Sequence, residues 1–221
     1  WNPIRGCTIK SAGCQNCYAM GQAGRFSGPG QPYDGLVRKT SQGFRWTGEV
    51  RLIEKDLLVP LRWKRPRKIF VASMSDPFHE SVPTPWLDQI FAVMALAPQH
   101  IFQLLTKRPE RMQQYVHGLD DGKDVGERIT EIALALQPDA LHAWGSQLFD
   151  IDRNEDGKID AATLRWPLSN LWLGVSVENQ AALNRLNPHV IEQSVVAKAC
   201  ALADSVGVGR VHGRFQIGRV D

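Results

Sequence analysis

Three short apolar runs limit what this chain can become: Ile69 to Ser73, Ile101 to Leu105 and Leu171 to Val177. Each reads as a buried strand. Between the first two, Trp86, Leu87, Ile90, Phe91, Met94 and Ala95 recur at helical spacing across Thr84 to Ala97, with Pro85 suited to a first turn. Glu110 to Tyr115 begins another helix after the second run. Strand, helix, strand, helix, strand is the alternation of parallel β/α units, in which functional groups gather at strand ends. The rest of the pattern is weaker. A short helix starts at Tyr18 and gives way to a Gly, Pro and Ser-rich loop up to Gly35. Gly48 to Ile53 reads as a brief strand and Lys55 to Trp63 as a short helix. Ala181 to Leu186 and Ser194 to Ala203 also read as helical, and periodicity fades from about His189.

The segments that follow the strands carry the chemistry. The first opens into Met74-Ser75-Asp76-Pro77-Phe78-His79-Glu80, small polar residues with an acid and a histidine. Asp76 is either a ligand-facing carboxylate or a turn cap, and His79 either a site residue or a surface histidine. The second strand ends in Thr106-Lys107-Arg108-Pro109, where Lys107 either meets a carboxylate or phosphate or stays solvated. Glu178-Asn179-Gln180 follows the third.

The strongest local signal lies at the start. Cys7, Cys14 and Cys17, three of the four cysteines, are spaced C-x6-C-x2-C, and Gly6, Gly13 and Asn16 supply bends. Thiolates bind soft metals, and C-x2-C brings two sulfurs to one centre through a tight turn. Zinc needs a fourth ligand, for which His79 is the candidate. Three thiolates alone suit a cubane iron–sulfur cluster with one open iron. A reduced loop without metal is the third option. Cys200 reads as a small apolar residue.

Charge is uneven along the chain. Residues 1–68 carry 13 Lys/Arg against 4 Asp/Glu, whereas residues 118–165 carry 5 against 11. A basic front beside a metal loop fits nucleic acid or another anionic substrate, or a solvated face. The acidic stretch separates two strands by more than one helix requires and reads as an insertion. Within it, Asp152, Asn154, Asp156 and Asp160 occupy positions 1, 3, 5 and 9 of an EF-hand-like loop, with Gly157 at the turn and Leu141, Trp144, Leu148 and Phe149 suggesting an entering helix. Thr163 stands where the loop's bidentate Glu belongs, so the segment reads as a calcium site or as an acidic surface turn. No apolar run reaches the roughly 18 residues of a membrane span, and the start lacks signal-peptide character. The cysteines are therefore expected in a reducing, cytoplasmic setting. The chain begins at Trp1, so its native start is expected upstream.

Four ordered motifs carry a resemblance: "WNPIRGC…GCQNCYAM", "SMSDPFHE", "LLTKRPERM" and "LWLGVSVEN". They resemble an uncharacterised phage-associated family known as phage gene products thirty-seven and sixty-eight, over residues 1–117 and 166–188. The motifs are similar also to the spore photoproduct lyase group of radical S-adenosylmethionine (SAM) proteins. That resemblance implies an α/β fold, a partial parallel β/α barrel, C-terminally incomplete. The domain would span 1–188, with the insertion at about 118–165 and a divergent or truncated tail at 189–221. It implies a [4Fe–4S] cluster on Cys7, Cys14 and Cys17, and SAM against Ser73, Ser75, Asp76, Lys107 and Ser176. Lys107 would meet the SAM carboxylate, and Ser73, Ser75 and Asp76 its amino group and ribose. An external electron donor would feed reduction of SAM to methionine and a deoxyadenosyl radical, which abstracts hydrogen from substrate. The first cysteine gap is six where the commonest radical-SAM spacing has three, and Asn16 stands where an aromatic residue usually precedes the last cysteine. The rival readings are a zinc-stabilised nucleic-acid-binding module and an inactive fragment.

Overall fold

The structure, a computed structural model, describes residues 1–118 and 124–176. In chain order the strands are β1 (Ile4–Arg5), β2 (Val37–Thr40), β3 (Gly43–Trp46), β4 (Arg51–Leu52), β5 (Lys68–Val71), β6 (Ile101–Thr106), β7 (Phe149–Arg153), β8 (Ile159–Leu164) and β9 (Leu171–Val175). The helices are α1 (Tyr18–Gly24), α2 (Glu54–Leu57), α3 (Thr84–Ala95), α4 (Pro109–Val116), α5 (Val125–Leu136) and α6 (Ala140–Trp144). The expected helices at 181–186 and 194–203, and the divergent tail, lie outside the described residues.

The three apolar runs form one parallel sheet in the order β5-β6-β9, with Val71 beside Leu104 and Leu104 beside Leu173. Period-two alternation decides which face is buried. Ile69 and Val71 on β5 and Phe102, Leu104 and Thr106 on β6 face the core, while Lys68 and Phe70 stay exposed. Against the buried face lies α3, whose Leu87, Ile90, Phe91 and Met94 are fully enclosed. The N-terminal segment runs beside β5: Ala72 N–H donates to Trp1 O at 2.7 Å, and Gly6 bridges Ser75 in parallel register. The described strands leave this sheet open; none of the sheets they form closes into a barrel.

The acidic stretch is part of the main core. Val125, Ile129 and Ala133 of α5, Phe149 of β7 and Leu164 of β8 join the same buried cluster as α3 and the parallel sheet. Asp124 caps α5 by accepting from Gly126 and Glu127 N–H. Beneath α5, Tyr115 Oη donates to Asp88 Oδ1 at 2.8 Å and Arg128 Nε reaches the same carboxylate at 3.2 Å.

Two expectations need correction here. The helix entering the calcium-like loop is only α6. It ends at Gly145, whose φ of 45° leaves the helical region, and Leu148 and Phe149 lead into β7. Asp152 and Asp160 lie on or beside the paired strands of a β-hairpin, with Asp152 opposite Ala161. Its turn is built by Asn154, whose Oδ1 accepts from Asp156 N–H at 3.1 Å and Lys158 N–H at 3.0 Å, and by Gly157 at φ 76°. The second correction is the Lys55 to Trp63 helix, which is α2 followed by a 3₁₀ turn at Val59–Arg62 with Pro60 inside it.

Candidate functional site

The cysteine loop is anchored from below. Just before Cys7 the backbone turns at Gly6, where φ is 94° and an added Cβ would lie 2.1 Å from the Glu49 carbonyl oxygen. A 3₁₀ turn at Ala12–Asn16 follows, with Cys14 N–H donating to Ser11 O and Cys17 N–H to Cys14 O. Cys17 then precedes the first residue of α1. All three cysteines are half-buried free thiols. Cys7 and Cys17 rest on a second apolar cluster of Ala19, Met20, Ala23, Tyr33, Leu36, Val37 and Trp46, formed by α1 and the β2–β3 hairpin. Burial, then the charge of Asp76, pushes the Cys7 thiol up to about 12.

One cavity of about 560 Å³ opens where the C-terminal ends of β5, β6 and β9 meet this loop. Its lining includes Cys7, Cys14, Cys17, Ser73, Ser75, Asp76, Lys107 and Ser176, residues from four separate segments of the chain. Lys107 Nζ donates to Ser176 Oγ at 3.0 Å across neighbouring strand ends. Ala72, in the left-handed region at φ 56°, turns the chain out of β5 so that Ser73 to Asp76 run beneath the cavity. Tyr18 closes one side, its hydroxyl donating to Ser73 O at 2.9 Å.

Within that cavity the polar groups at the end of β5 are engaged by the protein itself. Asp76 is buried, and its oxygens are taken by protein donors: Thr106 Oγ1 at 2.8 and 3.0 Å, the N–H of Phe78 and Lys107, and Arg108 Nη1 at 2.9 Å. Ser75 Oγ donates to Ile4 O and Ser73 Oγ to Asn2 Oδ1. All three residues line the cavity; the serine contacts tie the end of β5 to the segment that carries the cysteines, and those of Asp76 tie it to the end of β6. His79 is 2% exposed rather than a surface residue. Its Nδ1 accepts from Ser81 N–H at 3.0 Å and its Nε2 lies 3.0 Å from Thr8 Oγ1, so both ring nitrogens have partners within the protein. Among the described residues no three His, Cys, Asp or Glu side chains form a group suited to holding a metal ion.

Sequence reasoning passed over Arg108, the cation at the centre of the site. It is 3% exposed and donates through Nε to Glu80 at 2.7 Å, through Nη1 to Asp76 and through Nη2 to Thr8 Oγ1 at 2.8 Å. Burial opposes its charge, yet Asp76 and Glu80 offset that and raise its pKa. Arg111 closes the same loop from outside, donating to His79 O and Val82 O. The available signal is two adjacent cations, Lys107 and Arg108, at the end of a buried strand.

The sequence model of a family described as "Protein of unknown function (DUF5131)" matches residues 1–201, and the chain belongs to that family. The match continues past residue 188, where the motif resemblance stops. No curated protein and no solved structure matches the chain.

Proposed function

We propose that this DUF5131 chain is an iron–sulfur enzyme of the radical-SAM type, fed by an external electron donor and acting on an anionic substrate such as nucleic acid. The observation that carries the reading is the gathering of Cys7, Cys14, Cys17, Lys107 and Ser176 around one cavity at the ends of parallel strands. Three half-buried free thiols on one loop are the donor type an iron–sulfur cluster takes. Three thiolates leave one iron of a cubane open for a bidentate ligand. All three thiol-bearing residues line the same cavity. The resemblance of the four motifs to the phage-associated family and to the radical-SAM group points the same way, and the partial barrel is the fold this reading implies. When bound, the cluster and SAM would supply one-electron chemistry ending in hydrogen abstraction from substrate.

The chain's own residues have separable roles. Cys7, Cys14 and Cys17 would hold the cluster. Lys107, beside Ser176, would orient the SAM carboxylate as a point charge. Tyr18, Trp46, Phe70 and Leu105 line the cavity and would keep water from the reacting centre. Asp76, Thr106 and Arg108 hold the strand ends and the cysteine loop in register. A basic balance over residues 1–68 favours a polyanionic substrate.

Anaerobic reconstitution with iron and sulfide tests the reading. The expected result is about four irons per chain, a broad visible charge-transfer band and a paramagnetic signal on reduction, all lost in Cys14→Ala. One zinc without iron in protein purified under anaerobic conditions, or a spectrum unchanged in Cys14→Ala, overturns it.

A further inference from the structure

The proton on His79 can be placed from its neighbours. Ser81 N–H can only donate, and it lies 3.0 Å from Nδ1, so Nδ1 is the acceptor and the neutral ring carries its hydrogen on Nε2. Nε2 is 3.0 Å from Thr8 Oγ1 and therefore donates to it. Arg108 Nη2, which has no lone pair, donates to the same oxygen at 2.8 Å. A hydroxyl has two lone pairs and one hydrogen. Both lone pairs of Thr8 are taken, and its hydroxyl rotor has one role left, as a donor. Thr8 lines the cavity next to Cys7.

We propose that Thr8 donates its hydroxyl proton to an anionic acceptor bound in the cavity, either a sulfur of the cluster or the carboxylate of the SAM ligand. Thr8 is then a binding residue, and Arg108 and His79 are positioning residues that fix its rotor. The inference rests on the radical-SAM reading and names a contact within that site. A donor aimed at a cluster sulfur raises the reduction potential by stabilising the more negative reduced state. A donor aimed at a ligand carboxylate tightens binding without moving the potential.

The test uses the full chain, reconstituted anaerobically, as wild type, Thr8→Ser, Thr8→Ala and Thr8→Val. Redox titration followed by electron paramagnetic resonance reads the cluster, and calorimetric titration with SAM reads the ligand. If the acceptor is sulfur, Thr8→Ala and Thr8→Val shift the midpoint to more negative potential and Thr8→Ser restores it. If the acceptor is the carboxylate, the same two variants bind SAM roughly tenfold more weakly, with Thr8→Ser again restoring affinity. Variants that load iron normally yet change neither quantity overturn the proposal while leaving the cluster reading intact. A wild type that takes up no iron fails the cluster reading itself. Valine leaves the Arg108 and His79 donors without an acceptor, whereas alanine makes room for water, so the pair separates loss of the donor from disruption of the network. Should both lose iron, deuterium exchange of the wild-type protein read by electron–nuclear double resonance decides. A hydroxyl hydrogen coupled to the reduced cluster supports the proposal, and its absence overturns it.

Discussion

Arg108 and Asp76 form a buried ion pair: Nη1 lies 2.9 Å from Oδ2, with the side chains 3% and 8% exposed. The pair joins the end of β6 to the loop after β5, and through Thr8 it also holds the cysteine loop. Removing one partner strands a charge in a poorly solvated place, which costs about 3–5 kcal/mol, whereas removing both leaves no such charge. Arg108→Met and Asp76→Ala are each expected to lower stability by about that amount, and the double variant by much less than the sum. Urea unfolding at neutral pH measures all four corners of the cycle. Strict additivity would show that the two residues are not coupled.

Gly6 sets where Cys7 stands. Its φ of 94° and the 2.1 Å approach of the Glu49 carbonyl to an added Cβ mean that no side chain fits without moving backbone. Gly6→Ala is expected to cost about 2 kcal/mol or more and to reduce the iron retained on reconstitution, because the displaced segment carries the first thiol. Gly21 on α1 is the control: a Cβ added there would meet nothing within 4 Å. Gly21→Ala is expected to raise stability by about 0.5–1 kcal/mol through helix propensity. Chemical denaturation of the two variants should therefore move in opposite directions.

What could be read from the sequence follows a physical divide. Buried parallel strands announce themselves as continuous apolar runs, and α3 is apolar enough to show its period; both were legible. The β2–β3 hairpin was not. Its two-residue turn is Ser41-Gln42, without the Asn-Gly or Asp-Gly signal, and its Arg38 and Arg45 face each other across the ribbon as if on a polar loop. The amphipathic α5 was hidden by the acids around it, although Val125, Ile129 and Ala133 form its buried stripe. The residue pattern from Asp152 to Asp160 carried two meanings, because Asn154 and Gly157 serve a hairpin turn as well as a calcium loop. The cysteine spacing and Lys107 at a strand end stand out in the sequence by residue type, and the structure brings them to one cavity. Arg108 and Thr8 became visible only through partners at distant chain positions, for which one sequence carries no periodic signature.

His79 gives a pH-dependent prediction. Burial, then the nearby charge of Arg108, lowers its pKa below the ordinary value of 6.5. The unfolded chain then binds the proton at higher pH than the folded one, so stability rises with pH through this window and is lost as pH falls below about 6.5. Protonation would also place a hydrogen on Nδ1 against Ser81 N–H. Nitrogen-15 NMR at neutral pH should find the Nε2–H tautomer. Unfolding experiments should find that wild type loses stability relative to His79→Gln as pH falls from about 7.5 to 5.5. An Nδ1–H tautomer would contradict the hydrogen-bond assignment directly.

Glu80 titrates in a separate window and reports on the other side of the same network. Burial opposes its charge, but hydrogen bonds from Arg108 Nε at 2.7 Å and Lys10 Nζ at 3.0 Å prevail and bring its pKa down to about 2. Because the folded value lies below the ordinary 4.5, its contribution is present above pH 4.5 and is lost as pH falls from there toward 2. The carboxylate is more than half exposed, so the gain is small and salt-sensitive, most of all on the Lys10 side, where both partners face solvent. Wild type should therefore be more stable than Glu80→Gln near neutral pH, with the gap closing as the solution is acidified through that window. Added salt should shrink the gap but not remove it, since Arg108 is buried on its side of the pair. A gap that widens on acidification would place the proton on the wrong side of the equilibrium and would remove Glu80 from the network that holds Arg108.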